Sequence, residues 1–458
     1  MKIKKVLATA TSTVVALGLT VAVAPAAVAG PTATTPGAYN TVNPIRVLDT
    51  RSGSGAPKMA VASKATLTFT LPVVPADSVV LEVTAVGPHA KGYLTVFPAG
   101  NPRPTASNLN FQAGQNVPNL VLTELGAGRT VSIYNGSAST VDLLADLHGY
   151  FQQGTTTGAG GTFDAMTPVR FLDTRSGLGT AAKGKVAPKS VTKIKVAGLR
   201  GVPVNATSVA LNVTAVQSPG KGFITAYAGD PRPTASSLNY EPRQDRANLS
   251  LQEIGPDGTI SLYNGSPYAV DLLADVSGYF VGGVGEVDGS FTPSTPDRIV
   301  DTRAFKEGFV PALSTLRLPI FEPGDPFASF IKAISINVTA AGPAASGFLT
   351  TYEGNGPLPA VSNSNFQTGH DVAGSVIVPV NDDGTISIYN GSYGNVDVIV
   401  DFTGLFFQES SLVMVTPNSK VPHAATKVTP AEVVAHVKQV LASRSGPRFS
   451  TPAVVTKK

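Results

Sequence analysis

Three segments of the chain alternate apolar and polar residues with a period of two. In the first, Val141, Leu143, Ala145, Leu147 and Phe151 fall on one face and Asp142, Leu144, Asp146, His148 and Tyr150 on the other. Such alternation is expected of a strand lying between two different environments. Related segments begin at Val270 and Val396. Further strands are predicted at Val79–Val86, Val209–Val216 and Ile334–Ala341, at Gly92–Phe97, Gly222–Tyr227 and Gly347–Tyr352, and at Thr130–Tyr134, Thr259–Tyr263 and Thr385–Tyr389. Asn135-Gly136, Asn264-Gly265 and Asn390-Gly391 directly follow the last set. Both residues of an Asn-Gly pair tolerate positive φ, so a tight hairpin turn is expected at each. Many short strands and no helical periodicity predict an all-β fold of the sandwich or jelly-roll type.

The strands come in three sets because the chain repeats itself. Each copy opens on a Pro-x-Arg-x-x-Asp-Thr-Arg segment, at Pro44–Arg51, Pro168–Arg175 and Pro296–Arg303. Each closes on a Gly-x-Phe triplet, at Gly149–Phe151, Gly278–Phe280 and Gly404–Phe406. The Asp-Thr-Arg copies are 124 and 128 residues apart, far beyond the roughly 20–50 residues of solenoid repeats. Each copy is long enough to bury a core of its own. Gly- and Thr-rich junctions set three tandem domains at 37–152, 161–281 and 289–408. Whether they string out or close around a pseudo-threefold axis is left open.

The two ends differ from the repeats. Residues 1–29 have a Lys-rich start, an apolar stretch and Ala27-Val28-Ala29, the pattern of a secretory signal, with 30–36 as the start of the mature chain. No other stretch is long and apolar enough to span a bilayer. In the tail, 409–458, Thr429-Pro430-Ala431-Glu432 is a capping box with Pro in the first turn. Val433, Val437, Val440 and Leu441 follow at helical spacing. One short helix, 430–443, is expected within an otherwise loose basic tail.

Charge and composition narrow the function. The formal net charge is +4, yet three positive charges are Lys2, Lys4 and Lys5, and the chain from Ser411 carries seven Lys and Arg against Glu432 alone, which leaves the repeat body near −5. The basic balance therefore describes the ends and gives no argument for nucleic acid. Cysteine is absent, which excludes disulfides, thiol nucleophiles and zinc–thiolate sites. Tryptophan is absent too, so any sugar stacking would fall to Tyr or Phe.

Two copies share a centre, Pro102-Arg-Pro-Thr-Ala-Ser-Asn-Leu-Asn110-Phe111 and Pro231-Arg-Pro-Thr-Ala-Ser-Ser-Leu-Asn239-Tyr240, whereas the third, Gly356-Pro-Leu-Pro-Ala-Val-Ser-Asn-Ser-Asn365-Phe366, lacks the Arg. Together with the Asp-Thr-Arg opening, the Tyr-Asn-Gly-Ser turn and the Val-Asp-Leu-x-Ala-Asp-x-x-Gly-Tyr-Phe close, this centre resembles a repeat module of exported actinobacterial proteins. The resemblance covers nearly all of 37–408. It implies a β-rich accessory domain, often joined to secreted enzymes, and supplies no catalytic residues.

Four constellations are candidates for chemistry. Arg46, Asp49, Arg51, Asp142 and Asp146 recur as Arg170, Asp173, Arg175, Asp271 and Asp275, and as Arg298, Asp301, Arg303, Asp397 and Asp401. Paired carboxylates suit glycoside hydrolysis, but three identical frameworks are more readily expected than three identical active sites. A structural ion-pair network between first and last strands is the expectation, with each Asp-x-Arg pair sharing one strand face. The histidines do not recur: His148 aligns with Ser277 and Thr403, so no base stands in a fixed place for a Ser-His-Asp relay. The acidic Asn381–Gly384 segment fades across copies, which favours a plain turn over a calcium cage. The central segment is the binding candidate. Arg103, Asn108, Asn110 and Phe111, Arg232, Asn239 and Tyr240, and Asn363, Asn365 and Phe366 set amides beside an aromatic ring, a chemistry suited to glycans.

These observations lead to a non-catalytic secreted or cell-surface accessory or adhesive protein, with no metal and no cofactor. The alternatives are a lectin-like protein that binds glycan or cell wall, and a secreted hydrolase. The expected partners are cell-wall polymer or polysaccharide, and another exported protein reached through the basic tail.

Overall fold

The computed structural model describes residues 37–408 apart from 73, 75, 154–160, 283–288, 305–307, 323 and 381–383, together with 413–414 and 426–444. The expected signal, the calcium candidate at 381–383 and most of the tail lie outside the described residues. In the first copy the strands are β1 (Gly37–Asp49), β2 (Thr66–Thr70), β3 (Ser78–Val86), β4 (Gly92–Pro98), β5 (Leu109–Phe111), β6 (Val117–Glu124), β7 (Thr130–Asn135) and β8 (Asp142–Gln153). The second copy repeats them as β9 (Gly161–Asp173), β10 (Val191–Lys195), β11 (Ala206–Val216), β12 (Gly222–Tyr227), β13 (Leu238–Tyr240), β14 (Arg246–Glu253), β15 (Thr259–Asn264) and β16 (Asp271–Gly282). The third has β17 (Phe291–Asp301), β18 (Ser314–Pro319), β19 (Ile331–Ala341), β20 (Gly347–Glu353), β21 (Ser364–Phe366), β22 (Val372–Pro379), β23 (Thr385–Asn390) and β24 (Asp397–Phe407).

Each copy is an antiparallel jelly roll. Its first sheet runs β1-β8-β3-β6 and its second β2-β7-β4-β5, with the same orders in the other two copies. Leu81, Val83, Leu143 and Ala145 of the first sheet meet Leu94, Val96 and Ile133 of the second in a buried core. Period-two alternation makes this work: odd positions of β8 fill the sandwich.

The alternation is broken once per copy, and the break builds the assembly. Opposite β3, Leu81 pairs with Leu147 and Val80 with Gly149, leaving His148 as an extra residue. The same irregularity falls beside Gly278 and Gly404. A bulge of one residue exchanges the two faces of the strand. The expectation that Phe151 shares a face with Leu147 is therefore corrected. Leu147 lies in the jelly-roll core and Tyr150 packs against it, while Phe151 points out of the sandwich into a second core.

That second core joins the copies. Tyr39 and Phe151, Phe163 and Phe280, and Phe291 and Phe406 are buried together, each pair from one copy. Ring centroids lie 4.8 Å apart for Tyr39–Phe280, 4.5 Å for Phe151–Phe291 and 4.5 Å for Phe163–Phe406. A Cβ on Gly149, Gly278 or Gly404 would overlap the ring of Tyr39, Phe163 or Phe291, which is why the triplet starts with glycine. Backbone bridges Gly37↔Phe291 and Tyr39↔Gly161, and the bond from the Phe163 N–H to the Gly289 carbonyl at 2.8 Å, tie the strand starts together. The copies close around a shared axis.

The helix α1 (Pro430–Arg444) is present, with the capping box formed. It is docked: Val433, Val437 and Leu441 are buried in the third copy's core, and His436 stacks on Phe327 with ring centroids 4.0 Å apart. Expected for Val437→Asp is a loss of several kcal/mol, because an unpaired carboxylate would enter that core. Differential scanning calorimetry checks the loss, and limited proteolysis should release a fragment ending near residue 428.

Candidate functional site

The recurring acids and arginines form a pair of interlocked ion pairs in every copy. Arg46 donates from Nε and Nη2 to Asp146 at 2.6 and 3.1 Å, Arg170 to Asp275 at 2.7 and 3.1 Å, and Arg298 to Asp401 at 2.8 and 3.3 Å. These clamp the first strand to the last. Asp146, Asp275 and Asp401 are buried, and burial pushes each carboxyl above its usual range although the Arg partner opposes this.

The second pair corrects the extended-strand expectation. β1 ends at Asp49, whose carboxylate accepts the Arg51 N–H at 2.9 Å, its Nε at 3.0 Å and its Nη2 at 2.8 Å. Arg51 thus folds back in a turn. Its hydrogen bonds hold Asp49 down at about 2, and Arg175 and Arg303 lower Asp173 and Asp301 in the same way. The Thr between them was not singled out by sequence: Thr50, Thr174 and Thr302 donate to Asp142, Asp271 and Asp397 at 2.7–2.8 Å. All fifteen candidate acids and arginines are thereby engaged in hydrogen bonds within their own copy. Every copy holds the set in one geometry.

The Asn-Gly pairs are a second correction. β7 and β8 belong to different sheets, so the link between them crosses the sandwich, and neither Asn135 nor Gly136 has positive φ. The Asn135 amide instead donates to the carbonyls of Val61, Ala62 and Ser139 at 2.8–3.0 Å. Asn264 and Asn390 repeat the pattern. Glycine follows because the ring of Tyr93, Phe223 or Phe348 lies where its Cβ would be.

The central segment has a structural part and an exposed part. Phe111, Tyr240 and Phe366 are 2–3% exposed and sit in the jelly-roll cores, so the rings expected beside the amides offer no face to a sugar. Asn108 and Asn363 accept backbone N–H groups of Val96 and Thr351. Asn110, Asn239 and Asn365 accept from Ser107, Ser236 and Ser362. The segment also locks neighbouring copies. Asn337 donates to the Ser107 carbonyl at 2.6 Å and Asp401 accepts the Ser107 N–H at 3.3 Å. Asn212 donates to the Ser362 carbonyl at 2.6 Å. The second copy meets the first through Asn248 and Glu82 at 2.8 Å. The first copy's segment thus leans on the third, the third's on the second, and the second copy meets the first.

Arg103 and Arg232 are what remains on the surface. Their guanidinium carbons lie 3.9 and 3.6 Å from the ring centroids of Tyr134 and Tyr263, a stacked cation–π geometry. The third copy carries Leu358 at the corresponding position, 36% exposed. His148 is buried and its ring held down to about 4 by that burial. Among the described residues no cluster of three His, Cys, Asp or Glu is arranged to hold a metal ion.

No family model matches the chain, and no curated protein matches it. Solved structures do. One, described as the triple jelly roll fold and turret assembly in an archaeal virus, covers 82% of this chain and 91% of its own at 10% identity, with a TM-score of 0.17. Another, the atomic structure of Sulfolobus turreted icosahedral virus, covers 83% of this chain and 100% of its own at 8% identity, also with a TM-score of 0.17. At those scores the likeness carries no argument, and the jelly-roll assignment rests on strand order. No helix among the described residues is long and apolar enough to cross a membrane.

Proposed function

We propose that the chain is a non-catalytic secreted or cell-surface accessory protein, a rigid three-bladed body that adheres to wall polymer or to another exported protein. The observation that supports this is the fate of the recurring acids. All three carboxylates nearest a catalytic arrangement in each copy are tied by hydrogen bonds to Arg or Thr of their own framework, and a carboxylate held by a bidentate guanidinium is a poor nucleophile or proton donor. Closure around one aromatic core adds rigidity, which lowers the entropy cost of presenting a binding face. The basic tail beyond α1 is the segment suited to anionic polymer.

The test is retention of the purified mature chain on insoluble peptidoglycan and on whole-wall polysaccharide, against a chain truncated after Arg444, which keeps the docked helix. Retention of the full chain, with no sugar or peptide released from the support, is expected. Passage of both chains through both supports unretained would sink the adhesive reading, and steady release of soluble products would return the acids to a hydrolase.

A further inference from the structure

Comparison of the three copies singles out one groove. In the first two, the tyrosine that precedes the Asn-Gly pair is covered by an arginine of its own central segment, Arg103 over Tyr134 and Arg232 over Tyr263. In the third, Tyr389 occupies the corresponding position and Leu358 replaces the arginine. Between the second and third copies, Tyr389, Phe348 and Leu358 line one side of a groove with a cavity volume of about 510 Å³. Arg175 and Asp245 of the second copy line the other. A cleft of that size, lined by apolar and polar side chains alike, has the dimensions of a small-ligand site.

The lining specifies chemistry. Tyr389 and Phe348 are half-buried, with ring centroids 6.2 Å apart. An aromatic face is electron-rich and attracts positively polarised C–H groups, which the ring face of a pyranose presents. Opposite, the Asp245 carboxylate accepts from Gln217 through Oδ1 alone, and Arg175 is half-exposed beside it. An acceptor next to a donor matches the vicinal hydroxyls of a sugar. An acidic ligand is disfavoured: the two arginines of the wall, Arg170 and Arg175, are already paired with Asp275 and Asp173, and Asp245 adds a negative charge.

We propose that this groove is a single binding site for a neutral pyranose glycan, created in the third copy by loss of the arginine that fills the equivalent place in the other two. The site is one per chain, not three. It goes beyond the adhesive reading, since soluble sugar binding is read in solution and can succeed where wall retention fails, or fail where it succeeds.

The decisive variant is Leu358→Arg, which writes the sister copies' residue into the third and sets a guanidinium on Tyr389. Because two copies already carry that arrangement, it should fold. The mature chain is titrated with maltohexaose, cellohexaose and mannohexaose, and with trigalacturonic acid as the charged contrast, by saturation-transfer NMR and calorimetry. Binding of at least one neutral hexasaccharide is expected. Leu358→Arg and Asp245→Asn should each weaken it by about tenfold or more, the equivalent of 1.4 kcal/mol, with melting temperatures unchanged. Absence of binding to every neutral sugar, a preference for the uronate, or wild-type affinity in Leu358→Arg overturns the proposal.

Discussion

Phe406→Ala should lower the stability of the chain by about 3–5 kcal/mol, the cost of emptying a large buried aromatic site, and should do so in all three copies at once. Phe406 is fully buried. Its ring lies 4.8 Å from that of Phe291 in its own copy, 4.5 and 6.3 Å from Phe163 and Phe280 of the second, and 6.1 Å from Phe151 of the first. A cavity here cannot be filled by collapse of one sandwich, because the surrounding rings are held by strands of three different copies. The comparison is Leu318→Ala, a buried residue of the third copy's own core, for which about 2–5 kcal/mol is expected. The two differ in what calorimetry records. Leu318→Ala should displace the common transition without dividing it, whereas Phe406→Ala should uncouple the copies and split that transition into several. A single transition displaced equally in both variants would refute the central role of the aromatic core.

That core shows how far the sequence carries. Half of its members, Phe151, Phe280 and Phe406, were visible as the Gly-x-Phe that closes each copy, and the other half, Tyr39, Phe163 and Phe291, stand two residues after a glycine ahead of each Pro-x-Arg segment. Strand positions were visible for the same reason: the period-two alternation in β8, β16 and β24 is a direct imprint of burial on one face. What stayed hidden was the bulge at His148. Its residue differs in every copy, and one inserted position leaves no mark on a pattern that still alternates on either side. Without it Phe151 belongs to the sandwich, and nothing points to a shared axis.

The Asn-Gly pairs misled for a different reason. Hairpin chemistry and sheet-crossing chemistry favour the same two residues, one for positive φ and the other for an amide that satisfies three carbonyls beside a glycine an aromatic ring can cover. Local sequence does not separate them; the sheet membership of β7 and β8 does. The central segment was legible as special but not as to purpose. The backbone of its serines binds neighbouring copies, a contact between residues 230 apart in the chain for Asn337 and Ser107. The groove beside Tyr389 became visible only when the place of Arg103 was known in three dimensions.

Glu82→Gln is expected to stabilise the chain at neutral pH, by a margin that grows as pH rises. Glu82 stands where the other copies have Asn212 and Asn337. It is fully buried between copies, its Oε1 accepts from Asn248 at 2.8 Å, and its Oε2 is without a hydrogen-bond partner. Burial first, and then the nearby Asp146, push its carboxyl well above the usual range. A carboxyl raised in the folded state contributes fully below its unfolded value near 4.5, and that contribution is lost as pH climbs toward the folded value. Asp49, Asp173 and Asp301 act with the opposite sign, their contribution being present at neutral pH and lost in acid, so the wild-type curve alone mixes the two. The difference between variant and wild type isolates Glu82. The glutamine keeps the acceptor for Asn248 and removes the ionisation, so the difference should be small near pH 4 and widen above it at up to about 1.4 kcal/mol per pH unit for one proton. Urea unfolding of both proteins from pH 4 to pH 8 measures it, and parallel curves across that range would show that Glu82 ionises as readily in the folded chain as in the unfolded one, which would overturn the reading.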